Sequence, residues 1–230
     1  EDFGPAQLAA DVRAALRKAG LLEEGSRRLV LVGHSMGGRV ALRYAADYAE
    51  DLAALVIEDM DCSYRAYPTE YMNPGPEDLA RRQRFDRAFN SWEACREALT
   101  SFGYEAARVD GWREERPPRV MPSEGGGVWS AVNPHAQWLA RRTVLSQGDA
   151  YASLQRLAAA ARAGGPALPV HVLVAGSEDT VCSWDAQPGG LRDMEAVLPG
   201  LAVKTFPAAR HSIHNSERGA FLDTIMRVVA

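Results

Sequence analysis

A glycine-flanked serine between an apolar segment and a helix-forming segment constrains this chain more than any other feature. Residues 29–32 are apolar and partly β-branched, which predicts a buried strand, and residues 35–48 predict a helix. The connection between them predicts a sharp turn from strand to helix. Gly33 and Gly37 would leave room for the tight backbone, and Ser35 would present its hydroxyl above the end of the strand.

The segments on either side of this turn predict a parallel α/β layer. A second apolar strand over residues 53–58 follows the helix, and strand, helix and strand in this order imply a parallel pair with a right-handed crossover. Further strands are predicted at residues 169–175 and 202–206, with a C-terminal helix at 216–229. The predicted fold class is α/β, with a mostly parallel sheet flanked by helices.

A mostly helical insertion interrupts this pattern. We predict that residues 1–61 and 165–230 form the α/β core and that residues 62–164 form a cap or lid. The insertion predicts helices at 76–90, 91–102, 105–115, 133–146 and 149–163. Residues 117–127, rich in proline and glycine, predict irregular structure. The aromatic residues of the insertion predict either an apolar acyl pocket or the core of the cap; they are Phe85, Phe89, Trp92, Trp129 and Trp138.

A serine hydroxyl is a weak nucleophile, so it needs a general base and an acid that orients the base. The candidate base is His211, which follows the last predicted strand and precedes the last helix. His214 is a less favoured alternative, nearer the helix. The backbone N–H of Met36, at the start of the helix after Ser35, is the candidate oxyanion donor. The other histidines lie in the turn, in the insertion and in a strand; they are His34, His135 and His171.

Two aspartates are candidates for the orienting acid. Asp179 follows a late strand in the pattern Gly-x-x-Asp, and it is favoured because the acid usually takes this position in chain order. Asp59 ends the strand after the serine helix and remains an alternative. Asp61 and Glu178 are less favoured, because alternation points each away from its neighbour.

Composition limits the function classes. The formal net charge is −4, which gives no reason to expect nucleic acid or an anionic membrane as a partner. No apolar run approaches the ~20 residues of a membrane span. Cysteines 62, 95 and 182 are odd in number and form no metal-ligand pattern, which favours a reducing intracellular compartment. Neither a metal nor an organic cofactor is implied, and a small molecule is the expected substrate.

The sequence resembles the α/β-hydrolase superfamily in its Ser-His-Asp branch. The resemblance rests on the Gly-His-Ser-Met-Gly-Gly turn, on Gly176-x-x-Asp179 and on the late His211. A narrower resemblance is to small esterases of the abhydrolase-domain-11 type. In those esterases an Asp-Ile-Ser-Pro-like segment stands where this chain has residues 58–61, and a Trp-x-x-Asn-like segment resembles residues 129–133. Some members of that branch use the earlier aspartate, so Asp59 stays open.

The resemblance implies an esterase that works through an acyl-enzyme. A thioesterase, or a C–C hydrolase or perhydrolase, would use the same groups on the same fold, and a non-catalytic binding scaffold is the third alternative. One departure from the superfamily is that its members have several strands and an oxyanion loop before the serine turn, which here begins at residue 33. The resemblance therefore predicts a missing N-terminal segment, or association through an exposed sheet edge beside residues 29–32.

Overall fold

The computed structural model describes residues 3–23, 28–65, 73–114, 118–123, 126–145, 149–165 and 167–229. It divides into two compact units, one formed by Glu1–Ala66 with Arg141–Ala230 and the other by Tyr67–Ala140. Within the described ranges, no helix has both the length and the apolar character needed to span a membrane.

Strands and helices alternate through most of the first unit. The strands of the described residues are β1 (Leu29–His34), β2 (Leu52–Glu58), β3 (Ala88–Phe89), β4 (Val120–Pro122), β5 (Val128–Ser130), β6 (Val170–Ala175) and β7 (Ala202–Phe206). The helices are α1 (Pro5–Lys18), α2 (Met36–Asp47), α3 (Pro76–Gln83), α4 (Trp92–Ser101), α5 (Ala106–Gly111), α6 (Pro134–Ala140), α7 (Asp149–Arg162), α8 (Leu191–Val197), α9 (Ile213–Ser216) and α10 (Arg218–Val229). The described residues also contain a short 3-10 helix at Ala49–Asp51 and a short π-helix at Arg141–Leu145.

The first unit is built on a four-stranded parallel sheet in the order β1-β2-β6-β7. The apolar runs of β2 and β6 are almost entirely buried, as parallel strands covered on both faces require. The predicted mostly parallel sheet flanked by helices is therefore confirmed. Because all four strands run in one direction, their carboxyl ends share one edge, where His34 of β1 stands beside Glu58 of β2.

Neighbouring residues of β2 show that helices cover both faces of the sheet. Ile57 packs against α2, where a Cβ added to Gly38 would stand 2.8 Å from its Cγ2 atom. Val56 points to the opposite face, as alternation requires, and belongs to a buried cluster against which α10 packs. Phe221, Ile225 and Val228 carry the α10 side of this contact, as their helical spacing predicts.

Among the described strands, β1 is an outer strand of this sheet, and it is only partly buried, whereas the sequence predicts a buried strand. Val32 is 39% exposed, and within the described ranges β2 is the one strand that pairs with β1. An apolar groove of about 580 Å³ lies between α1, β1 and α2 and reaches Met36.

The second unit combines helices α3 to α6 with an antiparallel sheet in the order β3-β5-β4. Two predictions are wrong here. The helix predicted over residues 76–90 ends at Gln83, and Ala88–Phe89 forms a strand instead. The described part of the segment predicted to be irregular, 117–127, contains strand Val120–Pro122. Both short strands pair with β5, a partner that local composition does not reveal.

The two units differ from the predicted core and insertion in their boundaries. Helix α7 and the π-helical turn were predicted with the insertion, but they lie in the first unit, where both pack against α2. Three aromatic residues of the second unit (Phe85, Phe89 and Trp92) pack against its own buried cluster of Cys95, Leu99, Val109, Trp112, Val120 and Val132. This packing agrees with the interpretation of these aromatics as core residues.

Candidate active site

Ser35 sits on the sharp turn that its sequence predicts. Its backbone has φ 54° and ψ −128°, a conformation that residues other than glycine rarely adopt. The Ser35 N–H donates to the Glu58 carbonyl at 2.9 Å, which ties the turn to the end of β2. Met36 is the first residue of α2, so its N–H has no acceptor within the helix and lies at the positive end of the helix dipole.

The glycines around Ser35 do not contribute equally. A Cβ on Gly33 would stand 2.5 Å from the Gly37 carbonyl oxygen, and a Cβ on Gly38 would stand 2.8 Å from Ile57 Cγ2. Around Gly37 there is open space, with nothing within 4 Å of an added Cβ. The sequence interpretation assigned the needed room to Gly33 and Gly37, whereas the structure places it at Gly33 and Gly38. The turn packs against the α2 backbone on one side and against β2 on the other.

The imidazole of His211 lies between a hydroxyl and a carboxylate. Its Nε2 atom is 3.0 Å from Ser35 Oγ, and its Nδ1 atom is 2.7 Å from Asp59 Oδ2. A carboxylate only accepts, so Nδ1 carries the ring proton and Nε2 faces the serine with its lone pair. This is the tautomer that a general base for Ser35 needs.

Asp59 is fully buried and its carboxylate is held from several sides. Its Oδ1 atom accepts from the Ala175 N–H at 2.9 Å and from the Thr180 hydroxyl at 2.6 Å. Its Oδ2 atom accepts from the Val181 N–H at 3.1 Å in addition to His211. Asp59 has a φ of 44°, and in the described ranges it shares a positive φ with only one other non-glycine residue, Ser35.

These hydrogen bonds decide the charge of Asp59. Burial by itself raises the pKa of the carboxyl group, but the hydrogen bonds from His211, Thr180 and the backbone amides outweigh it and hold the pKa below its ordinary value. Asp59 is therefore an ionised acceptor near neutral pH, opposite the ring nitrogen that carries the proton.

Asp179, the acid favoured from the sequence, lies elsewhere. It contacts the backbone of His211 rather than the ring, with Oδ1 accepting from the His211 N–H at 3.1 Å. Its side chain is exposed and also accepts from Ser177 and Arg210. The Ser177 hydroxyl, the His211 amide and Arg210 lower the pKa of Asp179. The loop expected to supply the acid instead supplies, through Thr180 and Val181, donors to Asp59.

The remaining candidates have other partners. His214, the alternative base, directs Nδ1 at Glu58, 2.8 and 3.0 Å from its two oxygens. Asp61 is buried and accepts from Ser63, Arg65 and the Ser183 N–H. Thr180 and Glu58 were not among the residues proposed from the sequence. The sequence feature that could have identified them is adjacency to the candidate acids, since Thr180 directly follows Asp179 and Glu58 directly precedes Asp59.

The arrangement can move a proton from Ser35 to His211. The hydroxyl, the imidazole and the ionised carboxylate are in series within hydrogen-bond distance, and the Met36 N–H lies on the helix side of the serine. Such a series suits acyl transfer, in which the serine attacks a carbonyl carbon and an N–H holds the developing negative charge.

Comparison with known proteins agrees with the architecture. The model of the alpha/beta hydrolase family matches residues 1–224. Among solved structures, E-2-(acetamidomethylene)succinate hydrolase is 20% identical with a TM-score of 0.62, over 100% of this chain and 75% of that one. A marine microorganism esterase is 14% identical with a TM-score of 0.64, over 99% and 78%. An esterase from Exiguobacterium antarcticum is 14% identical with a TM-score of 0.58, over 100% and 75%. A search of curated proteins gave no match.

Proposed function

Since the chain belongs to the alpha/beta hydrolase family, we propose that it is a serine hydrolase that cleaves carboxylic esters through an acyl-enzyme. The observation that carries this proposal is the series of contacts from Asp59 through His211 to Ser35. In this series each group has the hydrogen-bond partner that its proposed role requires.

The proposed reaction begins when Ser35 Oγ attacks the ester carbonyl and His211 Nε2 takes its proton. The Met36 N–H donates to the oxyanion of the tetrahedral intermediate. The imidazolium then protonates the leaving alcohol, and the carbonyl re-forms as an acyl group on Ser35. Water, deprotonated by His211, attacks this acyl group and releases the carboxylic acid, which restores the serine.

Asp59 has two proposed tasks in this cycle. It fixes the ring of His211 so that Nε2 faces Ser35, and its negative charge stabilises the imidazolium. The hydrogen bonds from Ala175, Thr180 and Val181 prevent the carboxylate from turning away. Asp179 is proposed to hold the His211 backbone, since its contact is with the amide and not with the ring.

A fluorophosphonate probe tests the nucleophile, because it forms a covalent bond only with an activated serine. We expect labelling of the wild-type chain and none of Ser35→Ala. Ser101→Ala changes an exposed serine of the second unit and should label like wild type. If the wild-type chain, folded by circular dichroism, is not labelled and hydrolyses no ester, the alternative of a non-catalytic scaffold is correct.

A substrate panel tests the bond that is cleaved. We expect p-nitrophenyl esters to be hydrolysed with a higher kcat/KM than matched acyl thioesters. A thioesterase would show the reverse order. A C–C hydrolase or a perhydrolase would be labelled by the probe but would hydrolyse neither series efficiently.

A further inference from the structure

Two histidines and a glutamate converge beside the proposed triad without belonging to it. His34 ends β1, Glu58 ends β2, and His214 lies in α9, after β7. Each offers one ligand atom, and the three ligand atoms lie within 4.8 Å of one another. His34 and Glu58 are register partners at the carboxyl ends of neighbouring parallel strands, so the sheet brings their side chains to the same edge.

Glu58 is the buried anchor of this cluster. It is 2% exposed, and its carboxylate accepts from the His214 backbone N–H at 2.9 Å. The ring of His214 faces both carboxylate oxygens through Nδ1. The His214 side chain is 37% exposed, so the cluster is open to solvent on that side.

His34 is oriented in the way that metal-binding histidines usually are. Its Nε2 atom lies 3.0 Å from the His211 carbonyl oxygen. A carbonyl only accepts, so Nε2 carries the proton and Nδ1 keeps its lone pair. A histidine that binds a metal through one nitrogen commonly donates the other N–H to a backbone carbonyl, which fixes the ring.

We propose that His34, Glu58 and His214 form a binding site for a divalent transition metal ion, with Zn²⁺ as the preferred occupant. Two imidazoles and one carboxylate are a ligand set that suits Zn²⁺, whereas Mg²⁺ and Ca²⁺ prefer oxygen ligands. Zn²⁺ would replace the proton on His214 Nδ1, which moves to Nε2 of the same ring. Water completes a four-coordinate ion.

The ligand atoms, which lie within 4.8 Å of one another, would have to move to the spacing of a tetrahedral site to hold the ion. Ligand atoms about 2.0–2.2 Å from Zn²⁺ lie roughly 3.3–3.6 Å apart in a tetrahedral site. His214 Nδ1 and Glu58 are already closer than that, at 2.8 Å, so an inserted ion would separate them slightly and draw His34 inward. No local motif marks this cluster, because its residues come from three distant segments of the chain.

Occupancy would also affect the proposed hydrolase. The centroids of the His34 and His211 rings are 4.7 Å apart. A dication bound to His34 would therefore be separated from the proposed base only by the His34 ring. Its charge opposes the positive charge that His211 gains when it accepts the serine proton. Bound Zn²⁺ is therefore expected to inhibit hydrolysis. That expectation rests on the proposed function, whereas the binding of Zn²⁺ does not.

Titration calorimetry with ZnCl₂ tests binding directly on the whole chain. We expect saturable binding of one Zn²⁺ per chain, with no comparable binding of Mg²⁺. His34→Gln and His214→Gln should each weaken binding by at least about tenfold, because the loss even of outer-shell partners costs about 10–100-fold in affinity. His135→Gln, which lies in the second unit, should bind Zn²⁺ like wild type. Ser35→Ala, which the fluorophosphonate probe cannot label, should also bind Zn²⁺ like wild type.

The outcomes separate this site from its neighbours. The proposal is overturned if wild type binds no Zn²⁺, or if His34→Gln and His214→Gln both bind as wild type does. It is also overturned if His211→Ala alone abolishes binding, because the ion would then sit on the proposed base. Circular dichroism confirms folding of each variant, and His34→Gln decides the question if His214→Gln does not fold. The calorimetric result stands whether or not Ser35 is labelled by the fluorophosphonate.

Discussion

Asp59 faces His211 across the ring nitrogen opposite Ser35, with Oδ2 2.7 Å from Nδ1. We expect Asp59→Asn to lower kcat for an activated ester by about 10⁴-fold, as the equivalent change does in a serine protease triad. An amide can donate to Nδ1, which would place the ring proton on Nε2, and it cannot neutralise the imidazolium. Steady-state hydrolysis of p-nitrophenyl acetate measures the loss.

Asp179→Asn is the matched control, because it makes the same change in the loop that follows the neighbouring strand β6. It should lower kcat by less than about tenfold, since the exposed carboxylate makes ordinary hydrogen bonds to the His211 backbone and to Arg210 and none to the His211 ring. A loss with Asp179→Asn that equals or exceeds the loss with Asp59→Asn would restore the assignment favoured from the sequence.

The sequence singles out the candidate serine and histidine more clearly than the candidate acid. Ser35 is marked by local chemistry, because strand, glycine, serine and helix occur in one continuous segment. Asp59 and Asp179 follow neighbouring parallel strands, and the usual chain order of the acid favours Asp179, which in the structure contacts the backbone of His211 and not its ring. The backbone turn at Asp59 and the donors from Thr180 and Val181 distinguish them, and both are tertiary features.

The fold shows the same division between local and long-range information. The strands β1, β2 and β6 are predictable because each is a continuous apolar segment, although only β2 and β6 are largely buried. The short strands β3 and β4 are not, because each exists only through pairing with β5. The position of α7 in the first unit depends likewise on its contact with α2.

Gly33 should be far less replaceable than Gly37. An alanine at position 33 brings its Cβ to 2.5 Å from the Gly37 carbonyl and 2.8 Å from the Ala41 side chain, so the turn must shift. We expect a loss of about 1–3 kcal/mol in the free energy of unfolding, as for other overpacked sites. Gly37→Ala meets open space in a helix and should be neutral or stabilising by up to about 1 kcal/mol. Urea unfolding compares them, and equal losses would contradict the prediction.

Arg39 should contribute more to stability than Arg43 on the same helix. The Arg39 guanidinium is buried, donates to the Leu145 carbonyl at 3.0 Å and lies 3.7 Å from Asp61. Arg39→Ala leaves buried acceptors without this donor and should cost about 3–5 kcal/mol. Arg43 pairs with Asp47 at 2.6 Å and with Asp149 at 2.8 Å, and all three side chains are partly exposed, so Arg43→Ala should cost less than Arg39→Ala, about 1 kcal/mol. Thermal and urea unfolding of both variants measure the difference in the free energy of unfolding. The loss caused by Arg39→Ala should be the same in 1 M salt, because salt screens a buried group very little.

The three thiols should be unreactive while the chain is folded. Burial raises the pKa of Cys62 to about 12 and that of Cys95 to about 11, and it also raises the pKa of Cys182. The thiolate is the reactive form of a cysteine. Because these pKa values are raised, very little thiolate exists at pH 8. We expect Ellman's reagent at pH 8 to react slowly with the native chain and to titrate three thiols at once in guanidinium chloride, because all three are free. Rapid reaction of one thiol in the native chain, lost on Cys182→Ser, would show that the Cys182 thiol is more accessible and more acidic than its surroundings imply.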